Sequence, residues 1–118
     1  MNKHEDWQKQ VYQELDQAEA ARAKGKEGMA RVCARRAASI VVAEYLSRRG
    51  LPSPGPSVQD RIRALNSLPE LSPQIKEVSE HFVMRVSPDY QLPIDVDLIA
   101  EARWLKEELF GNENNPPA

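Results

Sequence analysis

The chain has 118 residues, of which 41% are hydrophobic and 29% are charged, and its formal net charge is −2. This length is enough for one hydrophobic core, and a charge so close to zero predicts no polyanionic partner for the molecule as a whole. The single cysteine, Cys33, excludes an internal disulfide and a cysteine-based zinc cluster.

A first helix is predicted over residues 5–24. Its apolar residues recur at helical spacing and form one stripe, with glutamines and acidic residues on the opposite side. The stripe consists of Trp7, Val11, Leu15 and Ala18. Gly25 and Gly28 mark a short break, because glycine is the usual residue where a helix ends in a left-handed turn.

A second helix is predicted over residues 29–49, ending before Gly50. The segment from Gly28 to Gly50 is rich in alanine and apolar on most sides, so we expect it to be buried on most sides. It is therefore the predicted central helix of a bundle. Residues 51–57, LPSPGPS, contain three prolines and one glycine and cannot continue the helix.

Two shorter helices follow. Ser57 and Asp60 approximate a capping box for the third helix, which ends near Leu68. Ser72 is the predicted N-cap of the fourth helix, with Pro73 at its first helical position, where the missing N–H costs nothing. The inward residues are Val58, Ile62 and Leu65 in the third helix and Leu71, Ile75, Val78 and Phe82 in the fourth.

An extended connector is predicted over residues 86–93 and a last helix over residues 95–110, whose apolar stripe contains Leu98, Ala102, Leu105 and Leu109. No segment alternates between apolar and polar residues for long enough to be a strand. The sequence therefore predicts an all-α fold, an antiparallel four- to five-helix bundle with two long N-terminal helices. We expect one domain over residues 1–110 and a disordered C-terminal tail over residues 111–118.

The inward side of the second helix is predicted to contain Met29, Cys33, Ile40 and Ala43, at 100° per residue. Arg36 falls among them, and a charge on an apolar side needs a partner. We therefore expect a buried pair with a carboxylate, and the spacing does not choose among Glu44, Glu80 and Asp97.

Arg31, Arg35 and Arg49 share a separate strip of the same helix. Three uses are open: a solvated edge whose aliphatic stems cover apolar surface, a phosphate-binding strip for nucleotide or RNA, or salt bridges across a subunit interface. More of this helix is apolar than three short neighbours can cover. A homodimer through this helix and its neighbours is therefore predicted.

The sequence contains no strong catalytic constellation: a Gly-rich phosphate loop, an HExxH motif and a nucleophile elbow are all absent. His81 is the one weak catalytic candidate, with Arg85 at i, i+4. Cys33 is interpreted as a small core residue. The acidic residues near the last helix are explained by their favourable interaction with the N-terminus of that helix. These residues are Asp89, Asp95, Asp97 and Glu101. We therefore expect no metal site and no cofactor.

The order of the elements carries a family resemblance over residues 5–110. A long helix with Trp7 near its start leads to an Ala-rich helix that ends before a Gly-containing loop, and the turn from Arg85 to Asp89 precedes the last helix. This order resembles HEPN domains, small helical bundles whose members commonly dimerise. Many members act beside a nucleotidyltransferase or as RNA-cutting toxins. The resemblance implies a helical bundle, a dimer and a partner of the nucleotidyltransferase type.

The chain departs from that family in two ways. Val86 and Ser87 stand in its RYPD-like turn where the family has tyrosine. The ribonuclease motif of the family, Arg followed after four to six residues by His, is absent, because residues 74–76 (Gln, Ile, Lys) occupy that position before His81. The resemblance therefore does not extend to nuclease activity.

We expect a non-catalytic, homodimeric binding or partner protein, for nucleotide, RNA or a nucleotidyltransferase-type partner. The candidate ligand-binding residues are Arg31, Arg35, Arg49 and Arg85. The alternatives are a nuclease or nucleotide hydrolase using His81 and a nearby arginine, and a purely structural protein–protein adaptor. The polar N-terminus is unlike a signal peptide and the longest strongly apolar run is far shorter than the ~20 residues of a membrane span, so a cytoplasmic protein without a membrane partner is expected.

Overall fold

The computed structural model describes the backbone of residues 3–52, 54–84 and 96–114, and the side chains of this part of the chain from Asp6 to Gly111. Within these ranges the chain is helical and has no strand, which confirms the all-α class. The helices are α1 (Lys3–Ala23), α2 (Glu27–Arg48), α3 (Val58–Asn66), α4 (Pro73–His81) and α5 (Leu98–Asn114). None of the described helices has the length and apolar character to cross a bilayer. The predicted connector lies outside the described residues.

The helix ends follow local signals in the sequence. Gly25 (φ 75°) and Gly50 (φ 72°) adopt the left-handed conformation just after α1 and α2, whereas Gly28, expected in the break, lies in the first turn of α2. The Ser57 hydroxyl accepts hydrogen bonds of 3.1 and 3.3 Å from backbone N–H groups in the first turn of α3, and the Ser72 hydroxyl accepts one of 3.2 Å in α4. Pro73 lies in the first turn of α4. Both predicted N-caps are therefore confirmed.

The last helix differs from its prediction at both ends. Asp97 caps it: the Asp97 carboxylate accepts hydrogen bonds from the backbone N–H groups of Ile99 (3.1 Å) and Ala100 (3.2 Å), so α5 begins later than expected. At the other end α5 continues to Asn114 beyond a non-helical Phe110 (φ −134°). Residues 111–114 are therefore helical, whereas the sequence pattern assigned them to a disordered tail.

The long helices α1, α2 and α5 lie side by side. α1 and α2 form an antiparallel hairpin. Arg22 at the end of α1 lies 3.0 Å from Asp97 at the start of α5, while the Arg48 guanidinium carbon at the end of α2 lies 4.9 Å from the centre of the Phe110 ring. α5 is therefore antiparallel to α1 but parallel to α2. The crossover that a parallel pair requires contains α3 and α4.

An aromatic cluster closes the end of the bundle where α1 begins. The rings of Trp7 and Phe110 are 4.7 Å apart, and Tyr45 meets Phe110 edge-on at 5.8 Å. The cationic groups of Arg48 and Lys106 each lie 5.7 Å from the centre of the Trp7 ring, within the range of cation–π interactions. These contacts join the ends of α1, α2 and α5.

The alanines of α2 allow its neighbours to approach closely. Ala30, Ala34, Ala37 and Ala38 are fully buried, and α2 contacts α1, α3 and α5. Cys33 is also buried, in agreement with its interpretation as a core residue. The prediction that α2 is the central helix is therefore confirmed for the sides that contact α1, α3 and α5.

One side of α2 does not face inward as predicted. Met29 is 52% exposed, Arg36 is exposed, and Ile40 is only partly buried. These three positions lie within about 40° of one another around the helix axis, on a side that the other described helices leave open. Arg36 reaches water and needs no buried partner. The predicted buried pair between Arg36 and a carboxylate is therefore wrong.

Arg22 connects three helix ends by ion pairs. Its guanidinium donates hydrogen bonds of 3.0 and 2.8 Å to Glu27 at the start of α2, and one of 3.0 Å to Asp97. The bonds from Arg22 lower the pKa of Glu27. Burial alone would raise the pKa of Asp97, but hydrogen bonds from the Ala100 N–H and from Arg22 outweigh it, and the pKa of Asp97 is lowered as well.

Replacing Arg22 with methionine is expected to cost stability at neutral pH and to cost much less in acid. A carboxyl group with a lowered pKa in the folded state contributes stability that is present above its unfolded pKa of about 4 and is lost as the pH falls through the folded value. All three groups are partly exposed, so the loss should stay below about 1 kcal/mol. Urea unfolding at neutral and acid pH measures it. Arg103→Met, at an exposed position of α5, is the control, and an equal loss at both pH values would contradict the assignment.

Candidate functional site

The described arginines of the predicted strip do not converge on one binding site. Arg31 lies 3.9 Å from Glu27 near the start of α2. Arg49, which follows the last residue of α2, pairs with Glu70. At 1.5 Å per residue, these two arginines are about 27 Å apart along the helix. Arg85 lies outside the described residues. The strip is thus dispersed, and two of its members are engaged by carboxylates.

Arg35 is the member of the strip that lines a concave surface. Its Nε donates a hydrogen bond of 3.1 Å to the backbone carbonyl of Phe82, at the C-cap of α4. Burial lowers the pKa of Arg35, and the charge of Arg31 lowers it further. The guanidinium nevertheless stays protonated. A neutral carbonyl oxygen, rather than a carboxylate, therefore holds this cation in position.

An open groove of about 390 Å³ lies between α1, α2 and the start of α3. We term it the arginine groove. Three guanidinium-bearing and three aliphatic side chains contribute to its lining: Arg35, Arg36, Arg61, Val32, Ile40 and Val58. The groove therefore combines apolar surface with three cations.

Arg61 connects the loop before α3 to the middle of α2. Its Nε donates a 3.1 Å hydrogen bond to the Gly55 carbonyl, and its Nη1 donates one of 2.8 Å to the Ser39 hydroxyl and one of 3.3 Å to the Ser39 carbonyl. These bonds fold the loop back along α2. They also fix the position of a second groove cation through uncharged acceptors.

Among the described residues, the arginines of the groove differ from most arginines outside it in the groups that accept their hydrogen bonds. Outside the groove, the described arginines that pair with carboxylates are Arg22, Arg31, Arg48, Arg49 and Arg63. Within the groove, Arg35 and Arg61 donate to neutral oxygens and Arg36 is exposed. Among the described residues that line the groove, Glu14 is the one carboxylate, and its buried Oε1 receives no hydrogen bond from the described part of the chain. The groove therefore retains positive charge.

His81 lies at the junction of α4 and α5. Its Nδ1 is 2.8 Å from a carboxylate oxygen of Glu101, and 12% of its side chain is exposed. The contact ties the end of α4 to α5. No three histidine, cysteine or acidic side chains within the described ranges are placed to hold a metal ion. Asp97 caps α5, and the remaining members of the predicted acidic set, Asp89 and Asp95, lie outside those ranges.

Arg61 was not among the site residues predicted from the sequence. A weak signal was present, because Arg61 follows Val58 by three residues and the two therefore share one side of α3. The approach of α3 to Ser39, across 22 positions of the chain, has no local pattern that would reveal it.

Comparison of the chain with protein-family models, with curated proteins and with solved structures gave no significant match. The arginine groove and the exposed side of α2 are therefore the features of the described residues that bear on the function of this protein.

Proposed function

We propose that this protein is a non-catalytic helical bundle that binds a protein partner through the exposed side of α2. We term this side the α2 face; it consists of Met29, Val32, Arg36 and Ile40. The observation that carries the proposal is the exposure of its large apolar side chains: 52% for Met29 and 37% for Val32. Apolar exposure concentrated on one side of a helix is typical of an interaction surface.

The polar groups near the groove support a non-catalytic role. The Ser39 hydroxyl, the one hydroxyl among the described groove residues, accepts a hydrogen bond from Arg61. The His81 ring is largely covered and is held by Glu101. A nuclease or nucleotide hydrolase using His81 would need this ring to face its substrate. These groups instead hold the helices together.

The proposal includes the resemblance to HEPN domains. Two long helices of 21 and 22 residues, two helices of 9 residues each and a longer last helix follow in the order on which the resemblance rests. On that resemblance the partner is of the nucleotidyltransferase type. Nucleotide or RNA binding is the weaker form of the proposal, because the carboxylates of Glu27 and Glu70 engage Arg31 and Arg49.

A homodimer through α2 is the second candidate. The same exposed side chains favour it, because a twofold contact would cover Met29 and Val32 in both copies at once. The 22 residues of α2 span about 33 Å, which sets the length available to such a contact.

Replacing Val32 with aspartate is expected to weaken capture of the partner at least about 30-fold, since the loss of a central apolar contact costs about 2 kcal/mol. The tagged protein is incubated with lysate from its native cell, and captured proteins are quantified by mass spectrometry. Tyr12→Asp is the matched control, because Tyr12 is 45% exposed but lies on α1 outside the α2 face. The control should retain the partner.

Sedimentation velocity of the same proteins separates the two candidates. A dimer that Val32→Asp dissociates and Tyr12→Asp preserves supports the homodimer. A monomer that captures a partner through Val32 supports the binding of a different protein through the α2 face. Capture that is unchanged in Val32→Asp contradicts binding through the α2 face.

A further inference from the structure

We propose that the arginine groove binds a carboxylate-rich amphipathic helix of the partner protein. The inference rests on the proposed function, which assigns partner binding to the α2 face, and it adds the chemistry of the partner. The groove and the face share Val32, Arg36 and Ile40. A ligand seated in the groove therefore covers Val32, one of the exposed apolar side chains on which the proposed function rests.

Three cations in the groove are available to an anion. Arg61 is held by the Gly55 carbonyl at 3.1 Å and the Ser39 hydroxyl at 2.8 Å, and Arg35 by the Phe82 carbonyl at 3.1 Å. These acceptors orient the guanidinium groups without neutralising them. A guanidinium presents a planar fork that matches a carboxylate, and a side chain already held in place loses little entropy on binding. The geometry therefore favours an incoming carboxylate.

The apolar lining indicates that the ligand also carries apolar groups. Val32 is exposed on α2, and the partly buried Ile40 and Val58 lie beside it in the groove. Covering such surface contributes about 25 cal/mol per Å². A helix with acidic residues flanking an apolar stripe offers carboxylates and apolar side chains on a single surface, and helices commonly dock into grooves in this way.

The length of the surface fits a short helix. A second, smaller concave surface of about 110 Å³ is lined in part by Ala43, Ser47 and Leu51. Ala43 and Ser47 lie further along the same side of α2 as Arg36 and Ile40. From Val32 to Ser47, α2 rises about 22 Å, or about four helical turns. A docked helix of about 15 residues would cover this distance.

Two other occupants fit the surface less well. A second copy of this chain would bring the same three groove arginines and one groove carboxylate, Glu14, so like charges would face each other. A nucleic acid supplies phosphates but no aliphatic side chains. Moreover, no aromatic side chain is among the described residues that line the groove, so bases would have no ring on which to stack.

Fluorescence anisotropy with three labelled probes tests the inference. The first is a helix-stabilised peptide of about 15 residues with leucines at i, i+3, i+4 and i+7 and glutamates beside them. The second is the same peptide with every glutamate replaced by glutamine, and the third is a single-stranded RNA of equal charge. The acidic peptide is expected to bind the full chain at least about tenfold more tightly than the glutamine peptide.

Arg36→Glu provides the test on the protein side. It should weaken binding of the acidic peptide at least about tenfold, because it reverses a groove charge. Arg36 is exposed, so the fold should persist, and circular dichroism checks this. Arg103→Glu is the matched control: it makes the same charge change at an exposed position of α5 and should leave binding within about twofold.

Four results would each overturn the acidic-helix inference: tighter binding of the RNA, equal binding of the two peptides, equal effects of Arg36→Glu and Arg103→Glu, or no binding of any probe. These results leave the proposed function standing as long as Val32→Asp releases a captured partner. Capture that is independent of Val32 overturns both.

Discussion

Replacing Phe82 with alanine is expected to lower the free energy of unfolding by about 3–5 kcal/mol. Phe82 has 0% of its surface exposed and is the largest of the fully buried side chains in the described part of the chain. It lies at the C-cap of α4, and the loss of its ring leaves a cavity that the rigid neighbours fill only in part. Domains of this size are stable by about 5–15 kcal/mol, so this one change removes a large fraction of the total.

Urea unfolding followed by circular dichroism measures this loss. The Phe82 carbonyl that binds Arg35 belongs to the backbone and remains in the variant, so the expected loss comes from the ring. Val83→Ala, at the half-buried position next in the chain, is the control and should cost less than about 1.5 kcal/mol. Similar losses in the two variants would show that the Phe82 ring does not anchor α4.

Replacing Ala37 with leucine is expected to destabilise the fold by about 1–3 kcal/mol. Ala37 has 0% exposed surface on α2, whose buried sides contact α1, α3 and α5. Protein interiors are packed as densely as organic crystals, so the added carbons must push a neighbouring helix away or adopt a strained rotamer. The change tests whether small residues are required where helices approach α2.

Thermal unfolding is a convenient measurement for this variant. The melting temperature should fall by about 4–24 °C, given roughly 4–8 °C per kcal/mol for a small domain. Ala20→Leu adds the same atoms at an exposed position of α1 and should change it little. A stable Ala37→Leu protein would mean that α2 has more room than its burial indicates.

The arginines that line a common surface are not the ones that share a strip of one helix. The sequence pattern grouped Arg31, Arg35 and Arg49 because they share a strip of one helix, but only Arg35 of the three lines the arginine groove. Arg36, expected to be buried, is exposed and lines it as well. Arg61 joins them from α3. A cluster drawn from two helices cannot be recognised from the periodicity of either one.

Several helix ends could be predicted from the sequence because their causes are local. A glycine with positive φ, such as Gly50, stops a helix through its own backbone freedom, and Ser57 or Ser72 caps one by bonding N–H groups two or three residues away. The all-α class follows equally from apolar residues that repeat every three or four positions.

The exposed side of α2 and the arginine groove arise only in the tertiary structure. Helical periodicity shows that α2 is apolar on most sides, but which side stays open depends on where α1, α3 and α5 pack. The bond from Arg61 to Ser39 spans 22 positions, and the pairing of Arg22 with Asp97 spans 75. Neighbours so distant in the chain are selected by the packing of the whole core, which no short stretch of sequence encodes.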